Sequence, residues 1–231
     1  MSDRPSTREP VVLPDILPIF PLSGVLLLPR GRLPLNIFEP RYLAMTRDSL
    51  GGERLIGMVQ PSDPQDDNRG GGGLNPPVYP IGCAGRITQF SETDDGRYLI
   101  TLTGVSRFRI AEELTLLSGY RRVVPDWRPF LQDRQQPGEP GFDRERLLRG
   151  LRGYFVQRKI QADFDAIEKA PGEYLVTSLA MACPFAPSEK QALLEAADLD
   201  ARAELLTALV EMAAIEPRRE DDNGDGGGTR H

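Results

Sequence analysis

Histidine is almost missing from this 231-residue chain: its one copy, His231, is the last residue. That excludes a Ser-His-Asp or Cys-His nucleophilic site and any metal centre built on several imidazoles. Cysteine is nearly as scarce, since Cys83 and Cys183 are too few for a disulfide framework or a second zinc-binding pair. Both are expected to be packed thiols in a reducing cytoplasm, Cys83 inside the apolar run IGCAGRI and Cys183 in MACPF. Lysine is rare as well. Only Lys159, Lys169 and Lys190 stand among 28 basic residues, and none is followed by Ser or Thr. The run Gly70–Gly73 therefore lacks the lysine of a phosphate-binding loop and reads as a linker.

Long apolar runs are missing too. A membrane span needs about 18 or more uninterrupted apolar residues, and none occurs; the opening MSDRPSTREP has no apolar signal segment. Basic excess is absent: the net charge is −6 and the pI about 5.0, which argues against DNA and against general affinity for RNA. The acidic pairs Asp66-Asp67 and Asp94-Asp95 fall in turn-rich loops, where Asp favours local hydrogen bonding over a cation. No metal, no cofactor and no catalytic residue is expected, and the chain reads as a non-enzyme.

Glycine (23) and proline (21) are plentiful, which favours many short elements joined by turns. Residues 1–13 and 217–231 are polar with nothing to bury and are expected to be disordered. Residues 14–127 read as a β unit. Short apolar runs at Ile16–Phe20, Val25–Leu28, Pro34–Phe38 and Arg54–Gln60 are bounded by Pro and Gly. Asp95-Gly96 predicts the turn of a hairpin between Ile81–Phe90 and Arg97–Thr103. Gly104 is expected to bend the chain, and Tyr120–Trp127 supplies another strand. About seven strands and one helix, Arg41–Leu50, suggest a closed or nearly closed barrel.

A Pro/Gly-rich linker, 128–142, separates this unit from 143–216, where the apolar period becomes helical. Asp143 should cap a helix with Leu147, Leu148, Leu151, Phe155 and Val156 on one side. Pro171 should start a second, the box SEKQ from Ser188 a third, and Asp200 a fourth. Asp143–Lys159 carries six basic and two acidic residues, Ser188–Glu216 two basic and seven acidic. The simplest reading is two helical faces that complement each other.

The stretch PLNIFEPRY reads as a corner, a strand end followed by a helix start. Glu39 sits where the helix dipole favours a negative charge, Pro40 at the first helical position, with Arg41 and Tyr42 folding back. Glu39 is expected to pair with Arg86, Arg107 or Arg109.

The combination of LPIFPL, IFEPRY, RLIGMVQP, IGCAGRITQF and GVSRFRI at these spacings, with the helical YLVTSLAMACPFAPSEKQALLEAADL, resembles the Lon protease N-terminal domain, or Lon substrate-binding domain, over about residues 14 to 215. The resemblance implies an α+β fold, a PUA-like β-barrel followed by a helical bundle. It implies binding of unfolded or tagged polypeptides, with a protease or chaperone as a further partner. The ATPase and peptidase parts of Lon have no counterpart here, so the chain looks like a stand-alone form of the domain. An adaptor or polypeptide-binding module is thus the leading expectation, with candidate contacts Leu26, Leu27, Leu28, Leu33, Tyr79 and Phe130, unless ordinary packing accounts for them. RNA binding is the weaker alternative, since Arg86–Arg134 holds eight basic against seven acidic residues.

Overall fold

Alternating apolar residues in the first half become six strands: β1 (Leu17–Pro21), β2 (Arg32–Ile37), β3 (Leu55–Val59), β4 (Ile81–Glu92), β5 (Tyr98–Leu117) and β6 (Tyr120–Asp126). The computed structural model describes residues 12–62, 76–135 and 140–215. The expected tail 217–231, most of the N-terminal stretch and residues 63–75 of the Pro61–Pro77 loop lie outside these residues. The sheet order is β2-β5-β4-β3-β1-β6, and β5 also pairs with β6. Five strands thereby close into a ring, and β2 lies outside it on β5. The closure depends on the length of β5, whose first half lies against β4 and whose second half lies against β6.

Gly104 does not bend the chain out of the sheet. Gly85 pairs with Gly104 and Ala84 with Ser106, so Val105 is the extra residue of a bulge within one long strand. A Cβ on Gly104 would collide with the Leu28 carbonyl oxygen. Instead its N–H donates to the Gly31 carbonyl at 2.9 Å, and Arg30 N–H donates to the Gly104 carbonyl at 2.8 Å. The run Val25–Leu28, expected to be a strand, is therefore an irregular strap pressed onto β5, with Leu26, Leu27 and Leu28 buried. The hairpin turn forms as its Asp-Gly pair requires, with Gly96 at φ +79.

The corner after β2 opens α1 (Pro40–Leu50), with Glu39 at its N-cap and Pro40 in its first turn. The Tyr42 ring lies 4.1 Å from that of Phe20, on β1 and not on the β2 strand that precedes the corner. Glu39, however, pairs with Arg41 at 2.8 Å, two residues away and near the surface. Arg107 is unavailable to it because that side chain is buried elsewhere.

The second half forms α2 (Arg144–Arg158), α3 (Phe164–Lys169), α4 (Gly172–Ala182), α5 (Pro187–Glu195) and α6 (Leu199–Ile215). Asp143 caps α2 by accepting the Arg146 N–H at 2.9 Å. Leu147, Leu151, Tyr154 and Phe155 form its buried face, whereas Val156 is 81% exposed. Two expected caps are shifted. At α5 the N-cap is Ala186, whose N–H meets the Glu189 carboxylate at 2.7 Å, and Ser188 lies inside the helix. At α6 Asp198 accepts the Ala201 N–H, while Asp200 accepts the Gly141 N–H, both at 2.8 Å. Arg146 joins Glu211 through two hydrogen bonds of 2.8 and 2.6 Å, so the opposite charges of α2 and α6 do meet.

One hydrophobic cluster runs from Leu26, Leu27 and Ile37 through Met45 and Cys83 to Leu151, Val176 and Leu206. A smaller one, with Leu17, Ile19, Phe108 and Val123, lies on the other face of the strands. The molecule is α+β: a ring of strands, then helices that share its core.

Candidate functional site

Arg107 fixes the geometry between strands and helices. It lies on β5 with a side chain 1% exposed, and its guanidinium meets both carboxylate oxygens of Asp133 at 2.9 Å. The third nitrogen, Nη1, donates to the Leu194 carbonyl at 3.0 Å, and Nη2, which also serves Asp133, donates to the Ala197 carbonyl at 3.3 Å, at the end of α5. The face of the guanidinium lies 4.6 Å from the Phe130 ring. Residues 128–134, expected to be linker, thus include a 3-10 helix (Arg128–Arg134) that buries Phe130 and Asp133. Nearby Arg202 is also buried, and desolvation together with the Arg107 charge lowers its pKa to about 10.

The Val25–Leu28 strap and the turn that follows it to Gly31 lie beside α4, and a cavity of about 520 Å³ opens between them. One wall is the segment from Gly24 to Pro34; the other is α4 from Glu173 to Ala182. The lining is mainly apolar, with Val25, Leu26, Leu33 and Met181, and Tyr174 stands at the rim 65% exposed. Arg30 pairs with Glu173 across one end, near the surface. At the other end Lys190 of α5 is only 7% exposed, and its Nζ donates to the Gly24 carbonyl at 2.9 Å and the Met181 carbonyl at 3.3 Å. Burial lowers the Lys190 pKa. A mainly apolar cavity with an ion pair at one end and a buried ammonium at the other can hold a short extended segment of chain.

Of the six candidate contacts, the structure brings Leu26 and Leu33 to this cavity. Leu27, Leu28 and Phe130 are core residues, 1%, 0% and 7% exposed, so no exposed leucine patch exists at the strap. Leu26 is itself buried, forming part of the floor. Tyr79 is half-buried elsewhere, its N–H bonded to the Gln60 carbonyl at 2.9 Å. Sequence reasoning missed Arg30, Tyr174, Met181 and Lys190. Lys190 carried a signal, because a lysine inside an apolar helical repeat must either reach solvent or find buried acceptors.

Burial pushes the Cys183 thiol up to about 12 and the Cys83 thiol up as well. That is opposite to the lowered pKa of an activated nucleophile. Among the described residues no group of three or more His, Cys, Asp or Glu could hold a metal ion. No described helix is long and apolar enough to cross a membrane.

The sequence matches the family described as the ATP-dependent protease La (LON) substrate-binding domain over residues 16–212. Lon protease 2 of Sorangium cellulosum is 28% identical over 213 residues, covering 89% of this chain and 26% of that protein. Lon protease 2 of Myxococcus xanthus is 24% identical over 210 residues, covering 86% and 24%. The chain thus spans about a quarter of the length of these curated relatives. Among solved structures, the Lon N-terminal domain protein from Xanthomonas campestris superposes with a TM-score of 0.56 at 25% identity, over 84% of this chain and 97% of that one. The N-terminal domain of Lon protease from Mycobacterium avium complex gives 0.54 at 13% identity with the same coverage, a likeness of fold.

Proposed function

From a chain that belongs to the Lon substrate-binding domain family, a substrate-recognition module, we propose a protein that binds unfolded polypeptide without catalysing a reaction, and that holds it in the cavity between Gly24–Pro34 and α4. The observation that carries this reading is the half-open apolar cavity with Tyr174 exposed at its rim. An exposed tyrosine beside an apolar hollow is a common anchor for a partner chain. The absence of an activated nucleophile at Cys83 and Cys183 supports binding over catalysis. Handing the bound chain to a protease or chaperone is the adaptor role that the relatives' name, Lon protease, suggests.

Fluorescence anisotropy with a permanently unfolded polypeptide and with a single-stranded RNA of similar size tests the proposal. Saturable polypeptide binding that survives added salt, weakened several-fold by Tyr174→Ala, is the expected result. Binding of RNA alone, lost steeply as salt rises, would replace it with the RNA reading.

A further inference from the structure

Lys190 is a buried cation without a carboxylate partner among the described residues. Its hydrogen bonds are to two neutral carbonyls, those of Gly24 and Met181. Burying an ammonium costs free energy unless it is paired, so proteins seldom leave one facing neutral groups alone. The nearby Cys183 does not supply the missing charge, because its buried thiol stays protonated at neutral pH. An ammonium has three N–H donors, and the two carbonyls take two of them. The third is available to an acceptor in the cavity that Lys190 lines.

The position of those two carbonyls matters as much as the charge. Gly24 belongs to one wall and Met181 to the other, so the Lys190 side chain bridges the walls and closes that end. A chain end can abut this bridge, whereas a chain passing through has to displace both hydrogen bonds. From Tyr174 to Met181, α4 advances about 10 Å, at 1.5 Å per residue. An extended polypeptide covers that length with about three residues at 3.3 Å each. Along the way it meets Val25, Leu33 and Met181, then Tyr174 at the rim. The far end is spanned by the Arg30–Glu173 pair, whose side chains are 43% and 25% exposed. Such an exposed pair is worth little, about 0–1 kcal/mol, and does not bar the way out.

We infer, resting on the reading of this cavity as a polypeptide site, that it receives the carboxyl-terminal end of a polypeptide: the terminal carboxylate meets Lys190 Nζ and the last two or three side chains, apolar ones, lie along α4. The carboxylate supplies the charge that Lys190 lacks, in a pocket where apolar walls strengthen the pairing. Specificity then comes from chain polarity. An internal segment of the same composition offers side chains but no end.

The test uses the whole chain and three labelled peptides, two ending in the same apolar tripeptide and the third with Glu replacing its last residue. One carries a free carboxyl end, one is amidated, and one is amidated with Glu as its last residue. The free acid is expected to bind at least about tenfold more tightly than the amide, as a charged hydrogen bond in a dry site allows. Lys190→Met, similar in length and without charge, should bring the ratio of free-acid to amide affinity to about one. The comparison of free acid with amide in the unaltered protein needs no variant, so it stands even if Lys190→Met fails to fold. Equal binding of acid and amide, with an unfolded polypeptide still bound, overturns this inference and leaves the proposed function standing. If the Glu amide binds as well as the free acid, the site reads an acidic side chain and end recognition is wrong. If neither the peptides nor the unfolded polypeptide binds, both readings fall.

Discussion

Arg107 and Glu39 show how burial decides what an ion pair is worth. The Arg107–Asp133 side chains are 1% and 7% exposed, and the guanidinium also serves carbonyls at the end of α5. Removing one partner leaves the other charged and buried, at a cost of about 3–5 kcal/mol. Asp133→Leu should therefore lower the unfolding free energy by that amount in urea titrations, and Arg107→Met with Asp133→Leu together should cost less than either alone. The Glu39–Arg41 pair, with side chains 43% and 32% exposed, is a different case. Glu39→Ala should shift stability by no more than about 1 kcal/mol, read as a nearly unchanged melting temperature. The thiols follow the same logic. Because burial raises the pKa of Cys83 and Cys183, a thiol reagent at pH 8 should label neither until the protein is unfolded, and rapid native labelling would contradict the packing described. A raised thiol pKa also means that the unfolded chain releases its proton first. Their contribution to stability is present at neutral pH and falls as pH rises above the ordinary thiol value of about 8.5 towards the folded one of about 12 at Cys183.

At the scale of an element, the strap on β5 is the sensitive part. Gly104 allows the Leu28 carbonyl to touch the strand, and its backbone is tied to Arg30 and Gly31. A methyl group there cannot be absorbed by a rotamer change, because it meets backbone. Gly104→Ala should destabilise the protein by roughly 1–3 kcal/mol. It should also displace one wall of the cavity, so its loss of polypeptide affinity should exceed what the stability change explains. The bulge at Val105 belongs to the same device, since it turns β5 so that one strand can serve both β4 and β6. Part of this was legible beforehand. Asp95-Gly96, Pro40 and Asp143 each specify a local conformation, and each acts where local chemistry places it. The shifted caps at Asp198 and Ala186 and the short α3 were not legible, because several residues in those stretches can cap and only packing selects among them. Val156 shows the same limit: at helical spacing it could join either face, and the neighbouring aromatics Tyr154 and Phe155 took the buried one.

For the whole molecule, the continuous core between ring and helices has a thermodynamic consequence. Trp127, packed 5.7 Å from Phe108, reports on the strands, whereas helical ellipticity reports mainly on α2 to α6. Because one cluster spans both, the two signals should move together in denaturant, and separate midpoints would show that the halves unfold independently.

What the sequence determined by itself was the kind of protein: the change from period-2 to helical apolar spacing, the turns and caps written in Gly, Pro and Asp, and the family. Those features are local in the chain, and local chemistry specifies them. The tertiary structure alone decided which apolar residues became surface and which became core. Leu26, Leu27, Leu28 and Phe130 look the same in sequence whether they bind a partner or the protein's own interior. It also brought Gly24, Leu33, Tyr174, Met181 and Lys190 to one cavity from three distant segments. Long-range packing sets such a meeting, because the free energy that places Lys190 between two carbonyls comes from the core beneath it rather than from its neighbours in the chain.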